Sequence, residues 1–241
     1  MKKRSSIIFS ILVVFIAMIL LSCSSVTNNL VEIDNIIYHE CDGYYVADGP
    51  LKKNEDLYDA IIPEKINGKY VKEISDNAFD DCHYLVNVSI PSSVENADSG
   101  LFSGCNKLEK IIVDENNRKY DSRNNCNAII ETETNILVSG CINTIIPNTV
   151  TSIGNYAFGY SDLEKIIIPA NITSTGKYAF YGCDELEDVN YLGTLEQWNS
   201  FNLEEGNDNL ISATCYIYSE TQQTDITGLY CHYVDGVPTK W

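Results

Sequence analysis

The sequence predicts a solenoid. Short parallel β-strands stack into a curved sheet, the opposite convex side is mostly irregular or short-helical, and a β-rich segment caps each end. Three observations carry this. First, one unit is written twice between Thr144 and Asp188: Ile145-Ile146-Pro147, Val150, Ile153, Ala157-Phe158 and Leu163, then Ile167-Ile168-Pro169, Ile172, Tyr178-Ala179-Phe180 and Leu186. Second, the spacing is fixed: Pro147 to Pro169 and Phe158 to Phe180 are each 22 residues, and Leu163 to Leu186 is 23, a period that marks stacked coils. Third, weaker copies lie upstream, at Ile62-Pro63 with Ala78-Phe79 and at Ile90-Pro91 with Leu101-Phe102. A unit this short cannot bury its apolar face alone, so neighbouring units must share one core.

The elements follow in order. Residues 1–22 read as a secretion leader: Lys2-Lys3-Arg4 is a basic start, and Ile7 to Leu21 is apolar except for Ser10, which is short for a membrane span. Leu20-Leu21-Ser22-Cys23 resembles the lipobox of bacterial lipoproteins. That resemblance implies that the Cys23 thiol takes a diacylglycerol and becomes the mature N-terminus, anchored by more than one acyl chain. Residues 23–29 are a tether. Residues 30–60 form the N-terminal β cap, with a hairpin between Ile36-Ile37-Tyr38 and Tyr44-Tyr45-Val46 across Cys41-Asp42-Gly43.

Residues 61–191 hold about five to six repeat units. The first carries five extra residues around Asn67-Gly68, a turn pair. Residues 111–143 are an altered unit. A polar stretch is followed by Ala128-Ile129-Ile130 and Ile136-Leu137-Val138, which read as a hairpin that keeps the stack continuous. Residues 192–241 lose the repeat and form the C-terminal cap.

The chain is acidic. Its formal charge is −18, and loss of the leader with its three basic residues takes this to −21. Nucleic acid needs a basic stripe, so it is excluded as a partner, and electrostatic docking on anionic lipid is disfavoured. Of nine cysteines, Cys82, Cys105 and Cys183 fall at one point of the repeat, just after the Phe. That position suits buried free thiols better than disulfides. Cys41, Cys126, Cys141, Cys215 and Cys231 are open at this stage. There is no Cys-x-x-Cys, no phosphate loop and no hydrolase or metalloprotease motif. No cofactor, metal or catalytic residue is assigned, and Asp76, Asp80 and Asp81 read as a solvated turn rather than a calcium site.

Leu163-Glu164-Lys165-Ile166-Ile167-Ile168-Pro169, with Ile153-Gly154 and Tyr181-Gly182-Cys183, resembles the repeat of BspA-like leucine-rich-repeat proteins. Asn127 to Cys141, Gly193-Thr194-Leu195-Glu196-Gln197-Trp198 and Cys231-His232-Tyr233-Val234-Asp235-Gly236 are similar to other parts of that family. The resemblance implies a leucine-rich-repeat fold and a bacterial cell-surface protein that adheres to host extracellular-matrix or cell-surface proteins. A structural envelope protein without a specific ligand is the alternative, and a cysteine-dependent hydrolase a more distant one.

Alternation within each strand names the expected partner-binding face. Val88, Ile90, Ile111, Val113, Thr144, Ile146, Ile166, Ile168, Val189 and Tyr191 should point inward. One outward column should run Asn87, Lys110, Asn143, Lys165, Asp188, and the other Ser89, Ile112, Ile145, Ile167, Asn190.

The anchor is directly testable. Cys23→Ala should move the protein from the detergent phase to the aqueous phase in a partition assay. A mutant that stays with the detergent would remove Cys23 from that role.

Overall fold

The computed structural model describes residues 26–52, 57–222, 229–235 and 237–241. The leader and Cys23 lie outside them. The N-terminal cap is a meander of β1 (Val26–Ile33), β2 (Ile36–Cys41) and β3 (Tyr44–Pro50), all antiparallel. Asp42 and Gly43 have φ values of 47° and 89°, the pair of positive angles that a two-residue hairpin turn demands. Cys41 therefore pairs with Tyr44. Beneath the turn, His39 Nδ1 lies 2.7 Å from Asp48 Oδ2, and Ser75 Oγ donates to Asp48 Oδ1 at 2.6 Å. This buried polar contact ties the cap to the first coil.

Each regular coil then supplies two strands, and the first coil has a third. The first coil has β4 (Asp59–Ile61), β5 (Lys65–Ile66) and β6 (Lys69–Ile74). Its five extra residues fold as a small hairpin, in which Ile66 pairs with Lys69 across Asn67 and Gly68, again at positive φ. The chain continues through β7 (Asn87–Ile90), β8 (Asn96–Ala97), β9 (Lys110–Val113), β10 (Tyr120–Asp121), β11 (Ala128–Glu131) and β12 (Ile136–Gly140). After these come β13 (Ser152–Ile153), β14 (Lys165–Ile168), β15 (Ser174–Thr175) and β16 (Asp188–Tyr191). The C-terminal part holds α1 (Leu195–Asn199), β17 (Asn202–Leu203), α2 (Asp208–Ser212), β18 (Thr214–Tyr218), β19 (Leu229–Val234) and β20 (Val237–Lys240).

Two rows of parallel strands result. The main row is β4-β7-β9, then β14-β16-β18-β19 with β20 antiparallel at the end. The second row, on the opposite side, is β3-β6-β8, then β12-β13-β15-β17. Most second-row strands have only two residues. That side is therefore irregular for most of its length, yet laced by backbone pairing. The main ladder continues past residue 191 through β18 and β19.

Both rows break at the altered unit, which is a two-faced wall. Ile129, Val138 and Cys141 pack into the N-terminal core, while Ala128, Ile130 and Leu137 pack into the C-terminal one. The Phe ladder divides accordingly. Phe79 and Phe102 lie 5.8 Å apart between ring centroids, and Phe158 and Phe180 stack at 5.2 Å. All four are buried, and removing one such ring costs about 3–5 kcal/mol.

The turns carrying Ala-Phe run unbroken past this wall. Asp81 N–H donates to Ser103 O at 2.8 Å, Gly104 N–H to Gly159 O at 3.1 Å and Tyr160 N–H to Tyr181 O at 2.7 Å. The middle bond skips the whole altered unit. After the Phe180 turn no further Ala-Phe pair follows; Glu205 O still accepts from Tyr178 N–H at 2.8 Å, but side chains take the next two bonds. Asn207 Oδ1 accepts from Phe180 N–H at 3.0 Å, and Asn209 Oδ1 accepts from Gly182 N–H at 3.1 Å. Asn207 is 2% exposed and also donates to Gly176 O and Glu204 O. It imitates a carbonyl that an Ala-Phe turn would supply.

Candidate interaction surface

The inward residues are buried as the alternation requires, with one exception. Val88, Ile90, Ile111, Val113, Ile146, Ile166, Ile168, Val189 and Tyr191 are core, while Thr144 is half-buried. Its hydroxyl accepts from Cys141 N–H and donates to Asn127 O, both at 2.8 Å. That local bonding competes with a strand. Residues 144–147 are irregular, and Ile145 N–H donates to Cys126 O rather than to a ladder partner.

The two outward columns are therefore not continuous. Asn87 pairs with Lys110 and Ser89 with Ile112; separately, Lys165 pairs with Asp188 and Ile167 with Asn190. Asn143 and Ile145 are exposed between these ladders but belong to neither. At the C-terminal end two expected positions are occupied by the protein itself. Lys240 Nζ reaches back to Asp188 Oδ2 at 3.1 Å, and Asn190 is buried. Ile167 is half-buried.

The N-terminal ladder is more open than the sequence alone indicated. β4 extends it, placing Asp59 beside Asn87 and Ile61 beside Ser89. Ile61 is 62% exposed, Ile112 43% and Ile145 71%. Ile61 was findable, since aligning Pro63 with Pro91 puts it opposite Ser89. Tyr216 and Leu229, which extend the second column, follow no such proline.

Where the main row breaks, the free side of β9 opens onto a groove of about 410 Å³ lined by Lys110, Ile112, Asp121, Arg123, Asn125 and Asn127. Arg123 is fixed there: its Nε and Nη2 donate to both oxygens of Asp121, and Nη1 donates to Asn135 Oδ1. Burial raises the Asp121 pKa, but the hydrogen bonds and charge of Arg123 outweigh it and hold the carboxyl below its ordinary value.

The thiols do not suit nucleophilic chemistry. Cys82, Cys105, Cys126, Cys141, Cys183, Cys215 and Cys231 are thiols, in no disulfide. Cys105 Sγ donates to Phe79 O and Cys183 Sγ to Phe158 O, both at 3.0 Å, so the repeated cysteine bonds the Phe carbonyl of another coil. Burial pushes Cys183 and Cys215 up to about 12, and Cys126 and Cys141 to about 11. A thiolate nucleophile needs the opposite shift. Among the described residues no group of three His, Cys, Asp or Glu could hold a metal.

The model for the BspA type leucine-rich repeat region matches residues 53–137 and 139–220, with six copies. The chain belongs to this BspA-type leucine-rich-repeat family. Solved structures of leucine-rich-repeat proteins are similar to it. One from Bacteroides ovatus is 22% identical, with a TM-score of 0.47, covering 78% of this chain and 47% of that one. Another, from T. pallidum, is 21% identical, with a TM-score of 0.38, covering 79% and 72%. A leucine-rich cell surface protein from Faecalibacterium prausnitzii is 19% identical, with a TM-score of 0.35, covering 68% and 55%. The chain thus spans about half the length of the Bacteroides and Faecalibacterium proteins. No curated protein matches it.

The thiols yield a pH prediction. Below about 9, the ordinary thiol value, they are protonated in folded and unfolded chains alike. For Cys183 and Cys215, between about 9 and about 12 only the unfolded chain ionises, so stability should fall as pH rises through that window. Replacing Cys183 and Cys215 with Ala should flatten this fall in urea titrations. An unchanged slope would show that other groups cause it.

Proposed function

We propose that this BspA-type protein is held at the bacterial cell surface by lipid on Cys23 and binds another macromolecule there. The partner class is a host extracellular-matrix or cell-surface protein, and the role is adhesion. The reading is supported by the leader, by the lipobox-like run ending at Cys23, and by the family. No helix among the described residues is long and apolar enough to cross a membrane.

The observation that carries the binding role is the open N-terminal ladder. Ile61 and Ile112 stand exposed on it with Asn87, Ser89 and Lys110, Ile145 and Asn143 are exposed outside the ladder, and the β9 groove lies alongside. Apolar side chains set in a polar surround, next to a concave site, form the usual anatomy of an interaction patch. The second ladder, with Lys165, Ile167, Asp188 and Asn190, is the lesser part, because Lys240 and neighbouring strands already cover much of it.

Ile61, Ile112 and Ile145 changed together to Thr tests this, because Thr keeps the β-branch. The thermal midpoint should barely move, since surface changes away from special features cost within about 0.5 kcal/mol each. Binding to immobilised host extracellular-matrix proteins should weaken by about tenfold or more, the loss of roughly 1.4 kcal/mol of contact. A folded triple mutant that binds as wild type would place the site elsewhere. A wild-type protein that binds none of them saturably would favour the structural envelope role.

A further inference from the structure

Every Ala-Phe turn needs two residues with left-handed backbone, two before the Phe and two after it. The first position is Asn77, Gly100, Tyr156 and Tyr178 in successive turns, and the second is Asp81, Gly104, Tyr160 and Gly182; all eight have φ between 51° and 78°. Asn, Asp and Gly adopt this conformation readily, whereas for a bulky aromatic it is an outlier. Three tyrosines therefore sit where five equivalent positions use the residues suited to the backbone.

Two of the three rings are displayed, with Tyr178 half-buried beside them. Tyr156 is 39% exposed, Tyr160 45% and the adjoining Tyr181 42%. Tyr156 and Tyr178 stack at 5.0 Å, Tyr178 meets Tyr181 edge-on at 5.6 Å, and Tyr181 meets Tyr160 edge-on at 5.2 Å. Glycines of neighbouring coils make room: a Cβ on Gly100 would lie 2.8 Å from Tyr156, on Gly182 2.5 Å from Tyr160 and on Gly206 2.0 Å from Tyr178. Strained conformers persist where the surroundings hold them, and they cluster at ligand contacts.

Charge selects the ligand. Asp162 and Asp184 are exposed just after the two tyrosine-bearing turns, and Asp81, whose charge acts on Tyr160, is exposed on the Phe79 turn, in a chain of net charge −18. Asp162 accepts from Asn106 Nδ2 at 2.7 Å and Asp184 from Asn209 Nδ2 at 3.1 Å, each through Oδ1. Elsewhere the protein supplies its own cation to a tyrosine face: Lys65 over Tyr70, Lys107 over Tyr84 and Lys240 over Tyr216. Among the described residues no cation lies over Tyr156, Tyr160, Tyr178 or Tyr181, and the adjacent Lys177 is paired with Glu205 at 2.9 Å. We infer that this tyrosine edge is a docking surface for a basic polypeptide segment, which lays arginine guanidinium groups on the ring faces beside the three carboxylates. It is a surface additional to the proposed sheet-face site and does not depend on it.

The probe is a fluorescent nona-arginine peptide, with nona-lysine of equal charge as comparison, titrated into the full chain at about 0.15 M salt. A planar guanidinium stacks on an aromatic face better than an ammonium does, so arginine should bind about tenfold tighter. Tyr156→Asn, Tyr160→Gly and Tyr178→Asn together install the residues other turns use. This variant should keep its fold by circular dichroism and its thermal midpoint, while losing about tenfold in affinity for the arginine peptide. Should it not fold, Asp162→Asn with Asp184→Asn leaves the rings in place, and it should still weaken binding about threefold. Three results would each overturn the proposal: equal arginine and lysine affinities, a folded tyrosine variant that binds as wild type, or a neutral oligosaccharide bound in place of either peptide.

Discussion

The fold depends on the backbone hydrogen bonds that link one Ala-Phe turn to the next. Each turn gives the N–H two residues after its Phe to the carbonyl one residue after the next Phe. That geometry requires the left-handed residues on either side of the Phe, and it fixes the Phe ring pointing into the core. The repeated cysteine reinforces it by donating its thiol to a Phe carbonyl of another coil. Buried backbone groups must find partners, so this row of bonds determines where coils can stack and where they must stop. The C-terminal end follows the same rule: Glu205 O accepts from Tyr178 N–H, and Asn207 and Asn209 side chains stand in for the two carbonyls that a further Ala-Phe pair would supply.

The altered unit shows how much freedom this leaves. It inserts a hairpin buried on both faces, divides the core into two clusters and breaks both strand rows. The turn row still crosses it, because Gly104 bonds directly to Gly159, although the hairpin's Gly140 N–H takes the Ala157 carbonyl. One consequence is functional. The break leaves β9 as an open edge with a groove beside it, which the exposed Ile112 lines. Regular stacking alone would have given a closed, uniform sheet at that point.

Much of this was legible in the sequence. The 22-residue period, the inward alternation, the Asp42-Gly43 and Asn67-Gly68 hairpins and the altered unit's own hairpin all rest on local signals that the backbone obeys. What was not legible depended on distant partners. The loss of the strand at Thr144 comes from a hydroxyl bonding Asn127 O. The covering of Asp188 comes from Lys240, 52 residues away in sequence. Ile61 was hidden only by its coil's longer spacing, since its proline marks it. The left-handed tyrosines gave no signal, because tyrosine does not ordinarily announce such a backbone as Gly, Asn and Asp do.

Native-state hydrogen exchange at the Gly104 amide tests the central claim most directly. If the turn row is the continuous spine, this amide exchanges as slowly as those of Asp81 and Tyr160, all three opening only with global unfolding. If Gly104 exchanges far faster than both, the two halves open independently and the spine does not bridge the altered unit.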